Sequence, residues 1–69
     1  MKISARNVLP GKIVDIVHGP VSTQVTLEIA PGVQIVSTIT TQSAKALNLS
    51  KGSQAYAIIK ASSVMVGTD

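Results

Sequence analysis

The chain has 69 residues and a mass of 7.1 kDa, 45% hydrophobic and 13% charged, which places it among compact globular domains and outside the low-hydrophobicity class that stays disordered. A single domain of this length leaves roughly 40% of its unfolded-chain surface exposed after folding, so its core is marginal and needs added stability. Zero cysteines exclude disulfides and thiolate metal sites, and His18 has no second imidazole for a zinc site, which leaves oligomerisation as the addition.

Six basic residues against three acidic ones give a formal net charge of +3, which favours anionic partners without choosing among them. Tyr56 is the only aromatic residue. Single-strand nucleic-acid binders usually offer several rings for base stacking, so a small anion fits better than nucleic acid. Residues 1–10 include Lys2, Ser4, Arg6 and Asn7 and no apolar run that would form a secretory h-region or cross a bilayer. A cytoplasmic protein with no membrane partner is therefore expected. With three acidic residues, Asp15, Glu28 and Asp69, one histidine and no cysteine, acid–base pairs and nucleophile triads are scarcely available, and no serine lies in a nucleophile motif, which speaks against an enzyme.

In chain order, a first short strand precedes Ser4. Lys12 to His18 then reads as a β-rich run, with Val14 and Ile16 on one face and Ile13, Asp15 and Val17 on the other. Both faces carry aliphatic side chains, so the strand needs two covers, and in so small a chain the second can come from another subunit. His18-Gly19-Pro20 supplies a turn through glycine's tolerance of positive φ and proline's fixed φ.

Val21 to Ile29 alternates apolar and polar residues at the two-residue period of a half-buried strand. Ala30-Pro31-Gly32 turns the chain into a third strand, with Val33, Ile35, Ser37 and Ile39 on one face, and the two strands form a hairpin. Thr40 or Thr41 caps a short helix through Leu47, with Ala44 and Leu47 as its apolar stripe. Lys51-Gly52 punctuates the chain again. Gln54 to Lys60 is a strand with Ala55, Ala57 and Ile59 on one face and Tyr56 and Ile58 on the other, and Val64 to Val66 closes the sheet. The expected fold is all-β: a small OB-like Greek-key β-barrel of five or six short strands with one short helix, spanning residues 1–69 as a single domain.

Two clusters concentrate hydrogen-bond donors without a carboxylate: Ser4-Ala5-Arg6-Asn7 and Lys60-Ala61-Ser62-Ser63. An oxyanion accepts hydrogen bonds and offers none, so its site needs cationic side chains, hydroxyls, amides and main-chain N–H groups with no acid nearby. Ala5 and Ala61 are small enough to let main-chain N–H groups approach such a ligand. Composition alone leaves the ordinary alternative open, since basic and serine-rich strand ends are commonly solvated loops.

The sequence resembles the molbindins, single Mop domains. The resemblance is carried by Ser-Ala-Arg-Asn at 4–7 with Gly11-Lys12-Ile13-Val14 behind it, Thr40-Thr41-Gln42-Ser43, Leu47-Asn48-Leu49, Lys51-Gly52, and Ala57-Ile58-Ile59-Lys60-Ala61-Ser62-Ser63-Val64, which span nearly the whole chain in order. It implies an OB-like barrel that assembles into a hexamer, a trimer of dimers, and binds molybdate or tungstate at subunit boundaries, with no organic cofactor. It further implies a main oxyanion site with Ser4, Ala5, Arg6 and Asn7 from one subunit facing Lys60, Ala61, Ser62 and Ser63 from another, Asn7 either contacting the ligand or holding the loop's shape. A second kind of site on the threefold axis falls at His18, Gly19 and the backbone around Val21. Family members often carry lysine where this chain has His18, and a turn-capping histidine is the alternative reading of that position. Storage or homeostasis of the oxyanion is the implied role. An OB-like module for nucleic acid or oligosaccharide is the competing function.

Overall fold

The computed structural model describes all 69 residues, Met1–Asp69. Four strands form one antiparallel sheet: β1 (Asn7–His18), β2 (Ser22–Ala30), β3 (Val33–Thr40) and β4 (Gln54–Ile59), with helix α1 (Thr41–Ala46) between the last two. The spatial order β3-β2-β1-β4 brings the fourth strand back beside the first by the long connection through α1, the defining path of a Greek key. The sheet is curled into a half-barrel, as expected of an OB-like design, but it has four strands rather than five or six.

Both differences in strand count lie at the ends of the chain. No strand precedes Ser4, because β1 starts only at Asn7, where pairing with β4 begins. Val64 to Val66 does not close the sheet: after a 3-10 turn at Ala61–Ser63 the chain is extended but unpaired, and Met65 is 94% exposed. The free edges of β3 and β4 consequently remain apart.

β1 is long because it serves two partners in succession. Residues Asn7 to Lys12 pair with β4 and Lys12 to His18 with β2. Pro10 stands before the first β1–β2 pair, Lys12↔Glu28, where that edge of β1 is still unpaired, so its missing N–H removes no ladder bond. At Gly11 an added Cβ would lie 2.9 Å from the Glu28 carbonyl oxygen and from Ile29 Cδ1, so glycine permits the close crossing of β1 over β2.

A bulge at Val14 corrects the strict alternation expected for this strand. Ile13 pairs with Leu27, but Asp15 rather than Val14 pairs with Thr26 and Ile16 pairs with Val25. The extra residue places Ile13 and Ile16 on the same inner face instead of opposite ones, and increases the local twist that curls the sheet. Ile13, Val25, Leu27 and Ala57 form the buried cluster, with Leu9, Ile16, Ile29, Ile35, Ile39, Leu49 and Ala55 packed against it.

The remaining elements follow local chemistry. Ala30 pairs with Val33 around Pro31-Gly32, where Gly32 takes a φ of 76° that a β-carbon would oppose. Thr40 caps α1 by accepting the Ser43 N–H at 3.0 Å on its hydroxyl. The helix ends in a Schellman arrangement: Leu49 N–H donates to the Ala44 carbonyl at 3.1 Å and Asn48 N–H to that of Lys45 at 3.0 Å, with Asn48 at a φ of 54°. Ala44 is buried, but Leu47 is 66% exposed at the rim of the apolar groove that Val25 and Leu27 also line, so only the first half of the apolar stripe expected of α1 is buried.

Candidate functional site

Asn7↔Ile59 is the last Cα pair of the β1–β4 ladder. Because the strands are antiparallel, residues before Asn7 and residues after Ile59 leave the sheet at the same end. That geometry brings together two clusters more than fifty positions apart in sequence. Ser4, Ala5, Arg6, Lys60, Ala61 and Ser62 line one open cleft of ≈ 510 Å³ with Ile3. The resemblance divides these groups between two subunits, whereas here one chain already supplies both halves.

The cleft wall is cationic and acid-free. Arg6 offers a planar fork of N–H donors and Lys60 a compact ammonium, and no Asp or Glu lines the cavity. The 3-10 turn is closed by Ser63 N–H on the Lys60 carbonyl at 2.8 Å and Val64 N–H on that of Ala61 at 3.3 Å, so the Ala61 and Ser62 N–H groups lie outside the turn's own bonds. Together with the Ser4 and Ser62 hydroxyls they make the wall rich in hydrogen-bond donors and free of carboxylates. Ala5 and Ala61 leave the main chain of the wall open, since a longer side chain at either position would stand in front of it.

Two of the eight residues expected at this site do other work. Asn7 does not line the cleft within the single chain; its Nδ2 donates to the Ile59 carbonyl at 3.2 Å, a bond that holds the two strand ends together. Ser63 closes the turn through its N–H and stays off the wall. Ile3 was not expected, and it adds an apolar side to the cleft. Its only sign in the sequence is an aliphatic residue next to Ser4.

The turn after β1 is built differently from expectation. Gly19 does not sit at positive φ; glycine is needed there because a Cβ would fall 2.5 Å from the Ser22 carbonyl oxygen, which accepts the Gly19 N–H at 2.9 Å. The Gly19 carbonyl accepts from the Thr41 hydroxyl at 2.6 Å, and the Val21 carbonyl accepts the Thr41 N–H at 2.8 Å. His18 is exposed at the end of β1, and neither cavity of the chain includes His18, Gly19 or Val21.

Residues 3–66 match the family model described as the TOBE domain. Over its full length the chain is 52% identical to a probable molybdenum-pterin-binding protein of Haemophilus influenzae, all of which it covers. The chain is a TOBE domain of the molbindin, or Mop, family. Its fold agrees with solved members. This molbindin superposes on MopII from Clostridium pasteurianum with a TM-score of 0.91 at 40% identity, covering 97% of this chain and 100% of that one. Against a molybdate-binding protein from Sporomusa ovata the TM-score is 0.90 at 34% identity, with 99% and 100% covered. No group of three or more His, Cys, Asp or Glu is placed to hold a metal cation in the molbindin fold described here, and no helix is long and apolar enough to cross a membrane.

Proposed function

We propose that this protein binds molybdate and tungstate as intact oxyanions in the cleft between Ser4-Ala5-Arg6 and Lys60-Ala61-Ser62, and that it stores or buffers them in the cytoplasm as a binding protein rather than an enzyme. The observation that carries the reading is that Ser4, Ala5 and Arg6 line one acid-free cavity with Lys60, Ala61 and Ser62, residues that carry two cations, two hydroxyls and main-chain N–H groups. The names of the relatives support molybdenum chemistry as the setting. At ≈ 510 Å³ and open to solvent, the cleft is far wider than a tetrahedral oxyanion. A neighbouring subunit covering it would complete the cage, which favours a homo-oligomer with its sites at subunit interfaces, a hexamer built as a trimer of dimers. The reading extends to a second kind of site at His18, Gly19 and Val21, where the exposed imidazole and the Val21 N–H, which makes no backbone hydrogen bond within the chain, are the available donors.

The chemistry selects its ligand by protonation and size. Molybdate and tungstate carry no proton at neutral pH, whereas hydrogen phosphate presents a hydroxyl that must donate. Where that hydroxyl faces Arg6, Lys60 or a main-chain N–H it opposes another donor, at a cost of about 1–3 kcal/mol, or roughly tenfold to a hundredfold in affinity. Sulfate passes the protonation test and is disfavoured as a smaller tetrahedron that leaves some hydrogen bonds too long.

Calorimetric titration with molybdate, tungstate, sulfate and phosphate tests the reading, run beside native mass spectrometry for subunit and ion counts. Arg6→Ala and Lys60→Ala should each weaken molybdate binding with the β-sheet signal in circular dichroism unchanged. A monomer that ignores both metal oxyanions, or phosphate displacing molybdate at equal concentration, would reject it.

A further inference from the structure

One residue of the oxyanion cleft does not belong to its donor chemistry. Arg6 and Lys60 bring charge, Ser4 and Ser62 bring hydroxyls, and Ala5 and Ala61 leave the main chain open, whereas Ile3 is the one aliphatic residue larger than alanine in the wall. The fold does not account for it. Ile3 stands four residues before β1, makes no backbone hydrogen bond and takes no part in the core. It is 49% exposed and lies at the cavity beside both cations.

Charge does not separate the anions that such a cleft attracts. Molybdate, tungstate and sulfate are all tetrahedral dianions, so Arg6 and Lys60 draw in each of them. Hydration separates them. For a given charge, the free energy that holds water around an ion grows as its radius shrinks, so sulfate, the smallest of the three, gives up its water at the greatest cost. A donor that replaces the lost water offsets part of that cost, whereas an aliphatic side chain displaces water and offers no hydrogen bond in its place. An isoleucine flanking the bound ion therefore penalises all three dianions, and sulfate most.

We propose that Ile3 is a specificity-determining residue of the cleft: its side chain strips water from one flank of the bound dianion without replacing it, and so favours the larger, less tightly hydrated metal oxyanions over sulfate. This effect acts beside the fit of hydrogen-bond lengths and is separable from it. It depends on the chemistry of the side chain at position 3, not on the spacing of the donors. The inference rests on the oxyanion reading of the cleft and adds to it a group that sets the preference among dianions.

Valine and threonine have nearly the same shape and differ by a hydroxyl in place of a methyl group. Ile3→Val and Ile3→Thr thus shorten the side chain alike, and only the second offers a hydrogen bond. The test is calorimetric titration of wild type and both variants with molybdate, alone and in competition with sulfate, beside native mass spectrometry to count subunits. Ile3→Val should keep a ratio of molybdate to sulfate affinity close to that of wild type. In Ile3→Thr the ratio should fall by about threefold to tenfold, within the net worth of one hydrogen bond, chiefly because sulfate binds more tightly. An equal ratio in the two variants, or a subunit count that changes in both while the ratio holds, assigns Ile3 to packing and overturns the inference while the oxyanion reading stands. Wild type that takes up no molybdate rejects that reading, and the inference with it.

Discussion

Asn7 Nδ2 donates to the Ile59 carbonyl oxygen at 3.2 Å, tying the first residue of β1 to the last of β4 across 52 positions of sequence. These are also the residues from which the two donor clusters diverge, so the amide ties together the two chain segments that lead into the cleft walls. Asn7→Asp replaces that donor with an acceptor facing a carbonyl and places a negative charge beside Arg6. It should lower molybdate affinity by about tenfold to a hundredfold, the equivalent of roughly 1–3 kcal/mol, with a smaller loss in Asn7→Ala. Calorimetry on both variants checks this, and wild-type affinity in Asn7→Asp would show that the amide has no positioning role.

Thr23 and Thr41 form the polar link between β2 and α1. The Thr41 hydroxyl donates to the Gly19 carbonyl at 2.6 Å, so its single proton is committed and the 2.8 Å bond between the two hydroxyls must be donated by Thr23. Thr41→Val keeps the shape but leaves the Gly19 carbonyl and the buried Thr23 hydroxyl without a partner. A loss of about 1–3 kcal/mol in urea unfolding is expected. The double variant Thr23→Val/Thr41→Val should lose less than the sum of the singles, because it removes the orphaned hydroxyl as well.

Asn48 holds the left-handed position that ends α1, with a φ of 54°. Asn48→Ala places a β-carbon in that conformation without the local hydrogen bonding that asparagine offers, and should cost about 1–2 kcal/mol. Asn48→Gly should match or exceed the wild-type melting temperature. If both variants melted alike, the helix terminus would not depend on backbone conformation at this residue.

Inner and outer faces should respond unequally to truncation. Leu27 is 4% exposed within the small core, and Leu27→Ala should cost about 2–5 kcal/mol. Val17 lies on the other face at 55% exposure, and Val17→Ala should stay within about 0.5 kcal/mol. Denaturant titration of the pair measures the asymmetry directly.

Much of the architecture was legible because it is written in local chemistry. The Pro31-Gly32 turn and the Thr40 cap each specify backbone conformation within a few residues and occur as expected, whereas the strand expected over Val21 to Ile29 forms over Ser22–Ala30, with Val21 outside it at 75% exposure and Thr26 buried on the face expected to be polar. Strict alternation misplaced Ile13 against Ile16, since the bulge at Val14 is set by pairing with Leu27 and Thr26 on another strand. Val64 to Val66 reads as a strand by composition and is apolar as a strand must be, but pairing needs a free edge within reach, and none is paired to it in its own chain.

The sequence by itself determined the inventory of the candidate site: cations, hydroxyls and small residues in two acid-free clusters, a property of side-chain chemistry that needs no coordinates. Tertiary structure alone decided that the clusters meet, because their meeting follows from the antiparallel register Asn7↔Ile59, a long-range pairing that no local preference encodes. It likewise decided that Asn7 works on the backbone and that Ile3 joins the wall. Hydrogen-bond partners and cavity walls are relations between distant segments, and they come into being only when the sheet closes the distance.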